Sequence, residues 1–231
     1  MFERAHHQRI EQALRALDAK LLLKHGCLFG GGTAIALAYG EHRESVDMDF
    51  ICASVEGYRE IRGLVNGAGM AALMTDDVAV LRDPRIDQYG IRCVLQVEAM
   101  PIKFEIIFEG RVPLAAPLPE DQICGVWALS KQDKVATKLM ANSDRWADTS
   151  VMSRDIIDLA VLADADGSLD VTGVAKALHA YGPSVLVDVK KARAQLLDRK
   201  GRLRDCMKNL GMSMPEAELR RRIQAIRPSS T

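Results

Sequence analysis

Residues 29–51 read FGGGTAIALAYGEHRESVDMDFI, and no other stretch says as much about the fold. A short apolar run ends in three glycines, a helical segment opens at Thr33, and a β-rich run follows over residues 46–53. This order predicts a strand, a glycine-rich turn, a helix and a second strand.

Asp47 and Asp49 lie two positions apart in the second predicted strand. Side chains alternate across a strand, so both carboxylates face one side while Met48 and Phe50 enter the core on the other. Two neighbouring carboxylates repel each other, and a bound divalent cation removes that conflict. The same pair, taken by itself, also fits a strand with one wet, acidic face.

Two further features stand near this pair. The glycine turn at a strand-to-helix junction, with Gly31, Gly32 and Thr33, lets backbone amides approach a phosphate, although a tight turn alone also needs glycine. In the alternating run IKFEIIF, Glu105 supplies a third carboxylate if its strand neighbours the first. Three carboxylates around paired metals suit in-line attack on a nucleotide α-phosphate.

Composition excludes several classes of protein. A chain of 231 residues with 48% hydrophobic and 27% charged residues is globular, and its zero net charge argues against a generic polyanion binder. The five scattered cysteines predict neither a disulfide framework nor a zinc site. We see no signal peptide and no apolar run of about 18 residues, so we expect a cytoplasmic protein without a membrane partner.

The pattern along the chain predicts three parts. Residues 1–25 form an amphipathic helix on the core, residues 26–125 an α/β domain with four or five strands, and residues 126–231 a helical domain. Residues 111–121 are predicted to be an extended linker, and two basic helices are predicted after Pro183. Between Lys190 and Arg227, Lys and Arg clearly outnumber Asp and Glu, which suits either RNA binding or solvated helix faces.

The sequence resembles a known family in two blocks. GGTAIAL followed by HRESVDMDF is similar to the AbiEii/AbiGii toxin family of the DNA polymerase β-type nucleotidyltransferase superfamily. The later segment LSKQDKVATKLMANSDRWADTSVMSRDIIDLAVL supports this match, because the family carries a Lys, an Arg and an R-D-x-x-D-L helix there. The corresponding residues are Lys138, Arg145, Arg154, Asp155, Asp158 and Leu159. The spacing from Gly32 to Asp47 is longer than in the compact polymerase β-type motif, and the third acid is usually Asp where this chain has Glu105.

The resemblance implies a fold and a chemistry. It implies a polymerase β-type nucleotidyltransferase domain with a mixed sheet, followed by a C-terminal helical bundle, that uses Mg²⁺ or Mn²⁺ and an NTP. Metal ligands would be Asp47, Asp49 and Glu105. The nucleotide would meet Arg43 and Ser45 as well as the glycine turn.

The helical half would contribute Lys138, Asp155 and Asp158 to catalysis. The alternatives are an exposed Lys138 that pairs with Asp133 or Asp144, and, for Asp155 and Asp158, structural ion pairing between the domains. The family further implies a toxin with a cognate antitoxin and an RNA acceptor, such as tRNA. Transfer to a protein or small molecule, or a catalytically silent nucleotide-binding regulator, are the other hypotheses.

Overall fold

A computed structural model describes residues 2–227 of the chain, and these residues form two compact units. The first, here the strand unit, comprises Met1–Glu41 and Ser45–Ser130. The second, here the helical unit, comprises His42–Glu44 and Lys131–Thr231. The three residues 42–44, which lie shortly before the strand of Asp49, therefore belong to the helical unit.

The strand unit contains four α-helices and seven strands among the described residues. The helices are α1 (Ala5–Arg15), α2 (Ala19–Lys24), α3 (Gly31–Ala38) and α4 (Val55–Ala68). The strands are β1 (Cys27–Gly30), β2 (Met48–Cys52), β3 (Ala79–Ile86), β4 (Gly90–Val97), β5 (Met100–Phe108), β6 (Gln122–Ile123) and β7 (Val126–Trp127).

Five of these strands form one mixed sheet in the order β1-β2-β5-β4-β3. Only β2 and β5 run parallel, and the other neighbours are antiparallel. The predicted mixed sheet is thus confirmed. Its core face is built around Phe29, Phe50 and Phe104, whose adjacent ring centroids lie 5.4 and 5.6 Å apart. A fully buried aromatic row of this kind anchors three neighbouring strands in one register.

The N-terminal segment differs from the single helix that its periodicity predicts. It is broken between α1 and α2, because Leu17 forms a β-bridge with Met74 and the Asp18 amide donates to the Leu73 carbonyl. The Asp18 carboxylate then caps α2 by accepting from the Leu21 amide. After α2 the chain turns at Gly26, which has φ +66°.

The segment after β5 also holds more structure than the sequence predicts. The predicted extended linker runs into a two-stranded hairpin of β6 and β7, which periodicity missed because each strand has only two residues. Its turn places Cys124 and Gly125 at positive φ. The Leu129 amide donates to the Phe29 carbonyl, which attaches the end of the hairpin segment to β1.

The helical unit contains six α-helices among the described residues, and the predicted helical bundle is confirmed. Helix α5 packs against α6, α7 and α8, and α10 packs against α6. After Pro183 there are three helices where two were predicted, because Gly201 at φ +80° and Pro215 interrupt the basic segment. The helices are α5 (Lys131–Arg145), α6 (Arg154–Leu162), α7 (Val171–Tyr181), α8 (Ser184–Leu197), α9 (Arg202–Asn209) and α10 (Glu216–Ala225).

The helices of the described residues are too short or too polar to cross a bilayer.

Candidate active site

Asp47 and Asp49 stand on the face of the sheet opposite the aromatic core. Met48 and Phe50 are fully buried, whereas Asp47 and Asp49 are half-buried. Asp47 directly precedes β2 and Asp49 is its second residue. The alternation predicted from the sequence is therefore present, and it brings two carboxylates to one edge of the partly exposed face.

Glu105 lies directly beside Asp49, because β5 pairs with β2 in a register that makes the two residues partners. The condition for a third carboxylate, that its strand neighbours β2, is met. Glu105 accepts hydrogen bonds from Lys103 at 2.6 Å and forms an ion pair with Arg92 at 3.1 Å. These two cations balance part of the negative charge that the three carboxylates accumulate.

The charge of this face shifts the pKa of Lys103. Burial alone would lower that pKa, but the hydrogen bond to Glu105 and the charges of Glu105, Asp47 and Asp49 outweigh it and raise the pKa. Lys103 therefore stays protonated across the physiological range. It is a counter-ion for the carboxylates, which sequence reasoning did not single out although its alternation with Glu105 was visible.

The donor set matches a hard divalent cation, since Mg²⁺ and Mn²⁺ prefer carboxylate oxygens. Within residues 2–227, however, no group of three or more His, Cys, Asp or Glu side chains is close enough to hold a metal ion. Asp47 and Asp49 fit such an ion by their placement on one face. Glu105 fits only if its contacts with Lys103 and Arg92 open, so its metal role stays a prediction.

The glycine turn packs directly against Asp49. Gly31 has φ +66°, and a Cβ built on it would lie 2.3 Å from the Asp49 Oδ2 atom. Any other residue would therefore collide with the carboxylate as well as strain the backbone. Gly31 and Gly32 open α3, two residues earlier than the sequence predicts, and the unpaired amides of a helix start favour an anion.

Thr33 and Ser45 form hydrogen bonds just before the start of β2. The buried Thr33 hydroxyl donates to the Asp47 carbonyl at 2.5 Å. The Thr33 Oγ1 also lies 2.8 Å from the Ser45 Oγ, and since Thr33 has one proton, Ser45 is the donor in that contact. The predicted nucleotide contact of Thr33 stays untested, but its hydroxyl already has a structural use in placing Asp47.

The residues predicted from the helical half meet in one buried ion cluster within the helical unit. Arg43 donates two hydrogen bonds, of 2.7 and 2.8 Å, to the Asp158 carboxylate, although the two residues are 115 positions apart in the sequence. Lys138 contacts Asp158 at 2.7 Å and Asp155 at 3.0 Å. Arg145 donates to Asp155 at 2.6 Å. Three cations and two carboxylates thus leave one net positive charge.

The neighbouring cations keep the two carboxylates of this cluster ionised in spite of their burial. Burial alone would raise the pKa of Asp158, but the charges of Arg43 and Lys138 and hydrogen bonds from Arg43 and His42 hold it well below its usual value. The pKa of Asp155 is lowered in the same way, with Lys138 and then Arg145 outweighing its burial. Both carboxylates are therefore ionised, which is the state that binds cations most strongly.

His42 belongs to the cluster but was not among the predicted site residues. Its Nε2 atom lies 3.1 Å from the Asp158 Oδ1 atom, and the ring is buried. Its position beside Arg43 was the one available signal. Arg154, by contrast, begins α6 and its side chain makes no hydrogen bond or ion pair with the described residues.

Comparison with solved structures finds the same fold in other proteins. The fold is similar to that of a candidate nucleotidyltransferase from H. pylori, at 19% identity and a TM-score of 0.53, with 97% of this chain and 95% of that chain covered. JHP933 from Helicobacter pylori is similar at 19% identity and a TM-score of 0.49, over 97% of this chain and 92% of that chain. The comparison with curated proteins finds no match.

The family is given by the sequence as a whole. Residues 12–229 match the family described as nucleotidyl transferase AbiEii toxin, type IV TA system. The chain therefore belongs to the AbiEii family of nucleotidyltransferase toxins of type IV toxin–antitoxin systems. The predicted resemblance is confirmed.

The buried cluster generates a stability prediction. Asp158→Asn keeps the volume but leaves Arg43 and Lys138 without their shared countercharge, so we expect a loss of about 3–5 kcal/mol in the free energy of unfolding. Urea unfolding at neutral pH measures it. Asp198→Asn, an exposed carboxylate of the same unit, is the control and should change stability by about 0.5 kcal/mol or less.

The same pair of variants gives a pH dependence. A carboxyl whose folded pKa is depressed stabilises the fold above its unfolded pKa of about 3.9, and that stabilisation is lost as pH falls towards the folded pKa. The stability gap between wild type and Asp158→Asn should therefore stay constant near neutral pH and narrow as pH falls below about 4. A gap that does not change with pH would show that Asp158 is not an ionised partner.

Proposed function

We propose that this AbiEii-family chain moves a nucleotide from an NTP to an acceptor, with Asp47 and Asp49 holding Mg²⁺ or Mn²⁺. The observation that carries the proposal is the contact between the start of α3 and the Asp49 carboxylate, which only glycine at position 31 permits. It sets an anion-attracting helix start directly beside a pair of metal-ligating side chains. That combination suits a metal-bound triphosphate.

Each group of the strand unit then has a task. When bound, divalent cations supply charge stabilisation for the α-phosphate and for the pyrophosphate that leaves. Asp47 and Asp49 hold them, with Glu105 as the third ligand once Lys103 and Arg92 release it. The amides of Gly31 and Gly32 orient the phosphate oxygens. The Thr33 hydroxyl keeps Asp47 in place by donating to the backbone carbonyl of Asp47.

The helical unit supplies positive charge to the nucleotide through Lys138. Asp155 and Asp158 position this ammonium, because both carboxylates contact it and each is held by an arginine in turn. We assign Arg43 a positioning role as well. Its guanidinium Nε and Nη2 atoms are both used by Asp158, and Nη1 donates to the Glu44 carbonyl. Ser45, two residues on, can donate to a phosphate oxygen once its hydroxyl proton turns away from Thr33.

The acceptor that we propose is RNA, such as tRNA, and the regulator that we propose is a cognate antitoxin. In the basic segment from Lys190 to Arg227, Lys190, Arg199 and Lys200 are exposed and make no ion pair with the described residues. Lys191, in contrast, pairs with Asp188 at 3.0 Å. Free cations of this kind attract a phosphate backbone, whereas a small-molecule acceptor has no use for them.

The first functional prediction concerns the metal ligands. Asp49→Asn removes charge without volume, so transfer should fall by about a hundredfold or more while the far-ultraviolet circular dichroism spectrum stays unchanged. Asp47→Asn should behave alike. Asp77→Asn, an exposed carboxylate of the same unit, is the control. Turnover near that of wild type in purified Asp49→Asn would refute the metal-dependent scheme.

The second functional prediction separates catalysis from stability at Lys138. Lys138→Ala and Lys176→Ala each break an ion pair with a buried carboxylate, the latter with Asp133 on the same helix α5. Both should lower the midpoint of urea unfolding. Only Lys138→Ala should also weaken NTP use by more than about 1 kcal/mol, the most that an exposed charge contributes. Equal NTP kinetics in the two folded variants would leave Lys138 a purely structural residue.

The third functional prediction identifies the acceptor. Incubation with each labelled NTP, Mg²⁺ and total cellular RNA should transfer label to material that ribonuclease destroys, and Asp49→Asn protein should transfer none. Raising the salt concentration should suppress transfer steeply, because phosphate contacts release counter-ions. Label that survives ribonuclease and appears on protein or on a small molecule would replace RNA by one of those acceptors.

A further inference from the structure

A cavity of about 470 Å³ opens on the charged face of the sheet beside Asp47, and all of its walls belong to the strand unit. Val46, Val94 and Pro101 form apolar parts of the lining. The charged lining consists of Arg82, Arg85, Arg92 and Lys103 together with Asp47 and Asp83. Cations thus outnumber carboxylates by four to two around a space large enough for a nucleotide unit.

Sheet register explains how these charges come together. Asp49 pairs with Glu105, Glu105 with Arg92, and Arg92 with Arg85, so one row of side chains crosses four strands on the same face. A second row leads from Lys103 through Val94 to Arg82. Along the first row the charge changes from negative on β2 and β5 to positive on β4 and β3, and the second row has a cation on β5 and another on β3.

The arginines at the β3 edge are costly for the fold itself. Arg85 stands directly opposite Arg92, and like charges in that arrangement destabilise a sheet. Arg92 is compensated by Asp87 and Glu105, each at 3.1 Å. The side chains of Arg82 and Arg85 are exposed and make no hydrogen bond or ion pair within the described part of the chain. The pairing of β3 with β4 is also irregular at these two residues.

The position of the cavity indicates its ligand. In the sheet order, β1 and the following start of α3 lie on one side of β2, whereas β5, β4 and β3 lie on the other. In-line transfer needs the attacking hydroxyl and the leaving pyrophosphate on opposite sides of the α-phosphate. With the triphosphate at the start of α3, the acceptor approaches from the β5–β3 side, where the cavity is.

We propose that this cavity binds the phosphodiester backbone next to the reacting 3′ hydroxyl of a single-stranded acceptor, with Arg82 and Arg85 as the phosphate contacts. The planar guanidinium group matches phosphate oxygens, and the apolar lining suits a sugar or base. The inference rests on the proposed nucleotide position, and it names a site separate from the basic segment of the helical unit.

The test is binding of a labelled single-stranded RNA oligonucleotide with a free 3′ hydroxyl, measured by fluorescence anisotropy across a salt series without NTP. Loss of two phosphate contacts in Arg82→Gln/Arg85→Gln should flatten the slope of log affinity against log salt by about 1.4. This corresponds to a change of about 25-fold in relative affinity per decade of salt. Arg82→Lys/Arg85→Lys keeps both charges and should keep the slope.

The matched control is Lys24→Gln/Arg59→Gln, which removes two exposed cations of the strand unit outside the cavity. An arginine double variant with the slope and affinity of this control would overturn the cavity proposal, as would a wild type that does not bind the oligonucleotide. Wild-type protein that binds it through Arg82 and Arg85 but transfers no nucleotide to RNA would instead refute the proposed function and leave the cavity as a nucleic-acid site.

Discussion

A carboxylate that is shut off from water needs cations beside it, and Asp158 is completely buried. Its cations come from different parts of the sequence. Arg43 precedes it by 115 residues, and Lys138 lies on a different helix. This requirement explains why His42–Glu44 belongs to the helical unit although the chain on both sides of it builds the strand unit. The three residues between Arg43 and Asp47 thus connect a buried ion cluster to the strand that bears the proposed metal ligands.

On the partly exposed face of the sheet, carboxylates and cations of neighbouring strands are paired with each other. Carboxylates of β2 and β5 lie beside Lys103 and Arg92, so the acidic centre is partly neutralised by groups on neighbouring strands. Because these contacts engage Glu105, a metal ion that recruited this side chain would also release two cations. The same step that assembles a ligand set would then leave Lys103 and Arg92 available for an anionic substrate. Metal binding and substrate charge would be linked on one face of the sheet.

At position 31, the backbone conformation and the close approach to a proposed metal ligand depend on the same residue. The left-handed conformation and the short approach to Asp49 each require glycine, and both serve the same end, which is a helix start beside a carboxylate. Thr33 reinforces this arrangement from two residues further on by tying the Asp47 carbonyl to the same helix. The turn, the helix and the strand entry therefore behave as one unit that holds the two carboxylates in place.

Local patterns in the sequence were sufficient for several features that depend on neighbouring residues. Alternation placed Asp47 and Asp49 on one face, and the family resemblance followed from two ordered motifs. Which strand lies beside β2, and in what register, could not be read from the sequence, because strand pairing joins distant segments through packing on the core. The partners of Asp158, the break after α1 and the opposed arginines on β3 and β4 have the same origin. Each depends on contacts between residues far apart in the chain, so only the tertiary structure decided them.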